Sequence, residues 1–545
     1  MTVEGNIVDI INRQIYFGQI TVEAGKITEV SALDNERPGA PYLMPGFVDA
    51  HVHIESSMLT PAHFARLAVV HGTVGTVSDP HEIGNVLGVQ GVEYMLEDAV
   101  QSPFHFAFGA PSCVPATSFE TAGANIDASD IASLLARNDV YYLAEMMNYP
   151  GVIHNDEMVM QKLNIAREAG KPIDGHAPGL RGQQAATYFS HGITTDHECY
   201  QTDEAAEKLK LGVKILIREG SAAKNFEALI PLAKTHWQNM MFCSDDKHPD
   251  ELVLGHINIL VRRAIQDHGI GLFDALFMAC IHPVLHYNMP VGLMQVGDNA
   301  DFIKVKDLLN FEVLQTYLEG ILVAENGVSL LPLPNSTIVN QFHASSIDSD
   351  QLALAIPPNC AQMKVIAAKG GQLITTALHM DILNQHTFFN ADLERDVLKI
   401  VVYNRYASAQ PAIALIHGFG LKHGAIASSV AHDSHNVIAV GTNDQDLAAA
   451  INEVVKHQGG VAACYGDHSE VLPLPVAGLM SNLDGYLVSE AYQKVDQMSK
   501  KQLGSTLDAP FMTLSFMALL VIPELKLSDK GLFDAQKFDF TRIWL

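Results

Sequence analysis

The chain has 545 residues, enough for more than one hydrophobic core and for two or three domains. Hydrophobic residues make up 48% of it and charged residues 17%, a composition that builds packed cores and excludes a disordered chain. With 34 basic against 61 acidic residues the net charge is −27, which argues against nucleic acid phosphates and anionic membrane surfaces as partners. Six cysteines, at 113, 199, 243, 280, 360 and 464, contain no CxxC pair, so neither a disulfide framework nor a structural zinc knot is indicated. Met1-Thr2-Val3-Glu4-Gly5 has no basic-then-apolar signal pattern, and the apolar run 511–522 is too short for a bilayer and reads as core. The expectation is a soluble, cytoplasmic protein.

Residues 6–30 alternate apolar and polar, as in Gln19-Ile20-Thr21-Val22-Glu23 and Lys26-Ile27-Thr28-Glu29-Val30, split by Ala24-Gly25. That predicts a small antiparallel sheet with one wet face. From about 42 to 268, short apolar runs alternate with helical patterns, and strands are predicted at 47–53, 74–78, 104–110, 141–146, 172–176, 193–197, 213–218 and 240–244. Thr60-Pro61 reads as an N-cap followed by proline at the first helical position, and Ser129-Asp130 opens a helix over 131–136. Eight strand–helix units suit a (β/α)8 TIM-like barrel. A doubly wound open sheet gives the same alternation, but its glycine-rich phosphate loop after the first strand is missing. Residues 290–340 return to strand texture, with a hairpin turn at Glu325-Asn326-Gly327. They are expected to complete the first sheet, giving a discontinuous β-sandwich domain (1–44 and 287–345) into which the barrel (45–286) is inserted. After the linker-like Leu333-Pro334-Asn335-Ser336 and 345–350, residues 346–545 read as a C-terminal α+β domain, with strands at 398–402, 412–416 and 437–440 and a helix over 444–455.

His51-Val52-His53 carries the chemistry. Two histidines at i and i+2 of a strand point to one side and can share a cation. Further candidate ligands, Glu145, His176, His197 and Asp245, each fall at the end of a later predicted strand, which in a barrel is the active face. Imidazoles with a carboxylate between them suit two ions of Zn, Mn or Fe. Two such ions would lower the pKa of a shared water and make a hydroxide nucleophile at neutral pH, with Asp245 taking the proton and returning it to a leaving amine. Other readings of these residues are structural: a histidine pair in the core, or Glu145 in a buried ion pair. Asp79, His81 and Glu82 end the second strand and should face the pocket, as a supporting network, as substrate contacts or as an extra metal site. Arg218, Glu219 and Ser221 follow strand seven and are candidates for the pocket wall. His432, Asp433 and His435 either reach over the barrel mouth as a lid or sit on a surface loop.

Pro45-Gly46-Phe47-Val48-Asp49-Ala50-His51-Val52-His53 resembles the first barrel strand of the amidohydrolase superfamily. Further runs resemble its adenine deaminase family: His51 to Ser57, Ser78-Asp79-Pro80-His81-Glu82-Ile83-Gly84-Asn85, Gly175-His176-Ala177-Pro178-Gly179 and Thr195-Asp196-His197-Glu198. To these are added Ser244-Asp245-Asp246-Lys247-His248-Pro249-Asp250 and Ala431-His432-Asp433-Ser434-His435-Asn436, so that the likeness spans nearly the whole chain. The resemblance implies metal-dependent hydrolysis of adenine to hypoxanthine and ammonia, by attack of metal-bound hydroxide at C6, in purine salvage. It implies manganese or iron, with zinc as a further choice, two ions per site. It carries the ligand role to His51, His53, His176, His197 and Asp245, the last in preference to Asp246. The bridging place, a carboxylated lysine in relatives that open cyclic amides, is here Glu145. Two residues after the second histidine those relatives have an arginine that holds a substrate carboxylate; here Glu55 stands there, which fits a neutral purine edge or a proton shuttle. Glu55, Asp79, His81, Glu82, Arg218, Ser221, His432 and Asp433 are the candidate substrate-binding residues. A cyclic-amide hydrolase is the alternative function, and a non-catalytic scaffold a more distant one, since such scaffolds lose ligands. A homodimer is expected for a large enzyme of this kind.

Overall fold

The computed structural model describes residues 1–383 and 387–545. All eight predicted barrel strands form, at Phe47–Val52, Thr73–Ser78, His105–Ala110, Val140–Met146, Ile173–Gly175, Thr195–Asp196, Lys214–Arg218 and Met240–Cys243. The first five pair in sequence as one parallel sheet and the last three as another. Thr194 N–H donates to the Ile173 carbonyl (2.9 Å), linking the two arcs. At the other seam Asp245 N–H donates to the His51 carbonyl (2.9 Å) and His53 N–H to the Asp245 carbonyl (3.3 Å). The parallel sheet therefore closes on itself as a barrel. Phe47–Val52 and Thr73–Ser78 are buried at every residue, as strands covered by helices outside and packed side chains inside must be. Several strands stop one residue short of the predicted end. His53, His176, His197 and Ser244 each lie just beyond the last paired residue, where the chain turns into the mouth.

Pro61 opens the first outer helix, Pro61–Ala68, as expected, but the Thr60 hydroxyl is not its cap. It pairs instead with the Ser336 hydroxyl at 2.7 Å, tying the later connecting segment to the barrel. The helix expected to open at Ser129-Asp130 begins one residue earlier, as Ala128–Leu135. Asp127 is its N-cap, in a capping box with Asp130.

The strands Thr2–Asp9, Gln14–Glu23, Lys26–Asn35 and Tyr42–Pro45 join Phe302–Val305, Val313–Leu318, Ile321–Glu325 and Val328–Ser329 in one eight-stranded sheet. The chain segments before and after the barrel meet where Tyr42–Pro45 pairs antiparallel with Phe302–Val305. The last hairpin turns at Asn326 (φ 48°) and Gly327 (φ 79°), the left-handed pair that a two-residue turn requires. The C-terminal part holds a second eight-stranded sheet, which contains Val397–Tyr403, Ala412–His417 and Val437–Gly441, and a three-stranded sheet near the end of the chain. The helix Asp444–Lys456 is capped by Asn443, whose side chain accepts from Asp446 N–H at 2.8 Å. Residues 511–520 and 522 are buried, in the helix Pro510–Ser515 and the segment that follows it, with Val521 half-buried. Among the described residues no helix is long and apolar enough to cross a membrane.

Gly46 precedes the first barrel strand where the backbone passes directly over Val74; a Cβ there would lie 2.2 Å from a valine methyl. Gly46→Ala is expected to destabilise the fold by about 1–3 kcal/mol through overpacking, seen as a lower urea midpoint for the barrel transition.

Candidate metal centre

The barrel seam places three nitrogen and oxygen donors together. The His51 and His53 Nε2 atoms are 3.2 Å apart, and each faces Asp245 Oδ1, at 3.4 and 3.3 Å. The separation has a physical meaning. Donors about 2.1 Å from a cation in tetrahedral array stand about 3.4 Å from one another. His53 Nδ1 faces the Asp79 carbonyl at 3.2 Å. That contact requires the proton on Nδ1 and leaves Nε2 its lone pair, the arrangement a metal-binding imidazole needs. Asp245 itself adopts a left-handed backbone (φ 54°), sparsely populated outside glycine, which turns its carboxylate back toward the first strand.

Glu145, from the fourth strand, stands between two donor sets. Its Oε1 faces His53 Nε2 (3.3 Å) and His81 Nδ1 (3.4 Å); its Oε2 faces His176 Nδ1 (2.7 Å) and His197 Nε2 (3.0 Å). The His51 and His197 rings stack at 4.0 Å. All six side chains are buried. Without a cation, clustered imidazoles and carboxylates could satisfy one another only as protonated pairs, yet His51 Nδ1 and His176 Nε2 have no hydrogen-bond partner among the described residues. The donor set fits divalent metal. His176, His197 and Glu198 form one group close enough to share an ion, and His51, His53 and Asp245 another.

The electrostatics follow from burial and pairing. Burial alone would raise the Asp245 carboxyl, but the Arg218 guanidinium (2.8 Å to Oδ2) and the two imidazoles of the first strand hold it well below the usual range. Arg218 also grips Glu198, so its charge is committed to carboxylates and not to the cavity. Glu145 is likewise held low by His176 and His197 against its own desolvation. Asp246 moves the other way, raised by burial and by the neighbouring Asp245, and its Oδ1 accepts from the Ser56 hydroxyl at 2.5 Å.

Over these donors lies a small cavity bordered by residues of the barrel and of the C-terminal part. Of the expected substrate-contacting residues, His81, Glu82, His432 and Asp433 line it. The loop carrying His432 and Asp433 runs between Ala425–Ser428 and Val437–Gly441 and covers the barrel mouth. It is pinned there by Glu82, whose two oxygens meet His432 Nδ1 and His435 Nε2. Glu55, Asp79, Arg218 and Ser221 do not border the cavity. Glu55 lies behind it, with Oε1 accepting from Ile83 N–H (3.2 Å) and Oε2 unpartnered; burial pushes its carboxyl up to about 7. Asp79 holds the His81 backbone (3.0 Å) and ring (3.1 Å). Ser221 is turned to Glu251 (2.9 Å) and the His248 backbone (2.8 Å). Glu198, Asp246, Met147, Leu373, Phe516 and Leu519 complete the lining without having been singled out from the sequence. Glu198 and Asp246 were within reach, since each directly follows a candidate ligand. The four apolar residues carry no local signal.

A closed parallel barrel with histidines and carboxylates converging at its C-terminal mouth defines a metal-dependent hydrolase of the amidohydrolase class. Residues 42–323 match the amidohydrolase family and residues 372–539 the adenine deaminase C-terminal domain. The chain is 52% identical over 540 residues to an adenine deaminase from a Sulfurovum species, with 99% of each chain covered. It is 52% identical over 542 residues to one from Salinibacter ruber, covering 99% of this chain and 98% of that one, and 49% identical over 549 residues to one from Methanosarcina acetivorans, covering 99% of each. The chain belongs to the adenine deaminase family.

Because the donors are buried and converge, metal binding should be coupled to stability. Exhaustive chelation is expected to lower the thermal midpoint by several degrees and readdition of Mn(II), Fe(II) or Zn(II) to restore it, as followed by scanning fluorimetry.

Proposed function

We propose that the protein hydrolyses adenine to hypoxanthine and ammonia, serving purine salvage, with two divalent cations per site. The observation that carries this reading is Glu145 standing between two histidine sets, with His53 on its Oε1 and His176 and His197 on its Oε2, and with Asp245 closing the first set against His51 and His53. One cation would be held by His51, His53 and Asp245 and the other by His176 and His197, with Glu145 shared between them; manganese or iron is favoured over zinc. When bound, two such ions acidify a water for attack at an electron-poor ring carbon.

The remaining steps belong to the side chains. Asp245 Oδ1 is directed at the space between His51 and His53, where it can take a proton from the attacking water and deliver it to the exocyclic nitrogen as C6 becomes tetrahedral. Arg218, bonded to Oδ2, keeps that carboxylate ionised and correctly turned. His81, Glu82 and Asp433 present donors and acceptors to the purine edge from the opposite wall. Asp433 Oδ2 and His432 Nε2 lack hydrogen-bond partners among the described residues and are free for a ligand. Glu55, one layer behind, is suited to relay a proton through its unpartnered oxygen. A second function, opening of a cyclic amide, is disfavoured by Glu145 and Glu55 at places that would call for lysine and arginine. The same reading divides the chain into 1–44 with 287–345, 45–286 and 346–545, and gives a cytoplasmic homodimer.

The direct test is purified protein loaded with Mn(II) and given adenine, followed by the ultraviolet change to hypoxanthine and by ammonia release; turnover of hydantoins or dihydroorotate in place of adenine would reverse the reading. Asp245→Asn should lower kcat by roughly 10²–10⁴-fold, the worth of a positioned proton-transfer group. Glu55→Gln should lower kcat/KM by about tenfold if the relay operates, a change read in the same assay.

A further inference from the structure

The cavity over the metal donors has a volume of about 30 Å³, room for roughly two water molecules. A fused two-ring purine reaches the donors there only when part of the cavity wall moves aside. Beside it lies a larger cavity of about 410 Å³, and Leu373 and Glu198 border both. Glu198 is fixed by its ion pair with Arg218. Leu373 is not fixed in that way: it is half-buried, on a short irregular segment between the strands Gln362–Ala367 and Thr376–Asp381. Gly370 and Gly371 precede it, the latter at φ +73°, a backbone pivot that a residue with a side chain would adopt only under strain. A third cavity, of about 620 Å³, meets the metal cavity only at Met147, which directly follows the rigid fourth barrel strand.

One further residue acts on Leu373. Lys526, on the strand Leu525–Ser528, is fully buried, and its ammonium donates to the Leu373 carbonyl (2.7 Å) and to the Phe516 carbonyl (2.8 Å). Leu373 and Phe516 both line the metal cavity. No carboxylate bonds Lys526, and desolvation lowers its pKa to about 7. A buried cation spent on two main-chain oxygens is costly unless those oxygens must be held in place.

We propose that the purine passes from the 410 Å³ cavity to the metals past Leu373, which acts as a size-selecting gate, and that Lys526 is the positioning residue that sets this gate. This rests on the adenine reading above. The experiment is steady-state kinetics of the metal-loaded full chain with adenine and with the bulkier N6-methyladenine. Leu373→Ala should raise the ratio of kcat/KM for N6-methyladenine over that for adenine by about tenfold or more, the selectivity one methyl group can carry. Lys526→Met should shift the ratio in the same direction with metal content unchanged. Lys526→Gln, which still donates to both carbonyls, should stay within roughly twofold of the unsubstituted protein. A purely structural lysine would alter stability and leave the ratio alone. An unchanged ratio in folded, metal-loaded Leu373→Ala overturns the gate, whether or not Lys526→Met folds. A Lys526→Gln ratio equal to that of Lys526→Met overturns the role of the lysine. If the unsubstituted protein fails to turn over adenine, the adenine reading falls and the gate falls with it.

Discussion

The structure depends on one backbone exchange. His51 on the first barrel strand, His53 just past its end and Asp245 beyond the last strand are joined by two main-chain hydrogen bonds, and that seam is what makes a curled sheet into a closed ring. Closure and donor assembly are thus the same event. The residues that complete the hydrogen-bonding ladder are the residues whose side chains converge at 3.2–3.4 Å. An open sheet with the same strands would leave the first and last of them at opposite edges, and the donor set would not exist. The left-handed backbone of Asp245 is a local cost retained at the point where ring closure and metal chemistry meet.

Around that seam the charges are arranged in compensating layers. Four imidazoles and two carboxylates face inward, and a second ring holds them: Arg218 on Asp245 and Glu198, Asp79 on His81, and the Asp79 carbonyl on His53. A buried carboxylate is tolerable only when neutralised. The cluster is therefore stable in one of two conditions, protonated or metallated, and a bound cation takes the place of the imidazole protons. The C-terminal part takes part in this balance. His432 and His435 converge on Glu82, so that a barrel carboxylate is neutralised by residues far away in the chain.

Much of this was legible in the sequence because barrels are periodic. Eight apolar runs with helical spacers located the eight strands, and the ends of those runs located the donors, because a parallel strand delivers its last residue to the mouth. The discontinuous sheet was legible for a similar reason, since residues 290–340 return to strand texture with an Asn-Gly turn. What was not legible depends on distance across the fold. Leu373, Phe516 and Leu519 look like any core residues, and only packing of the C-terminal part on the barrel gives them a wall to form. Glu55 and Ser221 sat beside the right motifs but their side chains turn behind the wall or away from it, because backbone direction beyond a strand end is set by tertiary contacts such as Ile83 N–H and Glu251. Thr60 stands at the N-cap as expected, but its hydroxyl does not close the cap, because Ser336, more than two hundred residues later, takes it.

The pairing of Tyr42–Pro45 with Phe302–Val305 has a consequence for biosynthesis. A nascent chain leaving the ribosome exposes the Tyr42–Pro45 edge with no neighbour on that side until the whole barrel has emerged behind it. The first sheet therefore lacks half of its strands through the synthesis of more than two hundred residues. Only the Tyr42–Pro45 edge has to wait in this way, since the three strands before it find their antiparallel partners within the first 35 residues.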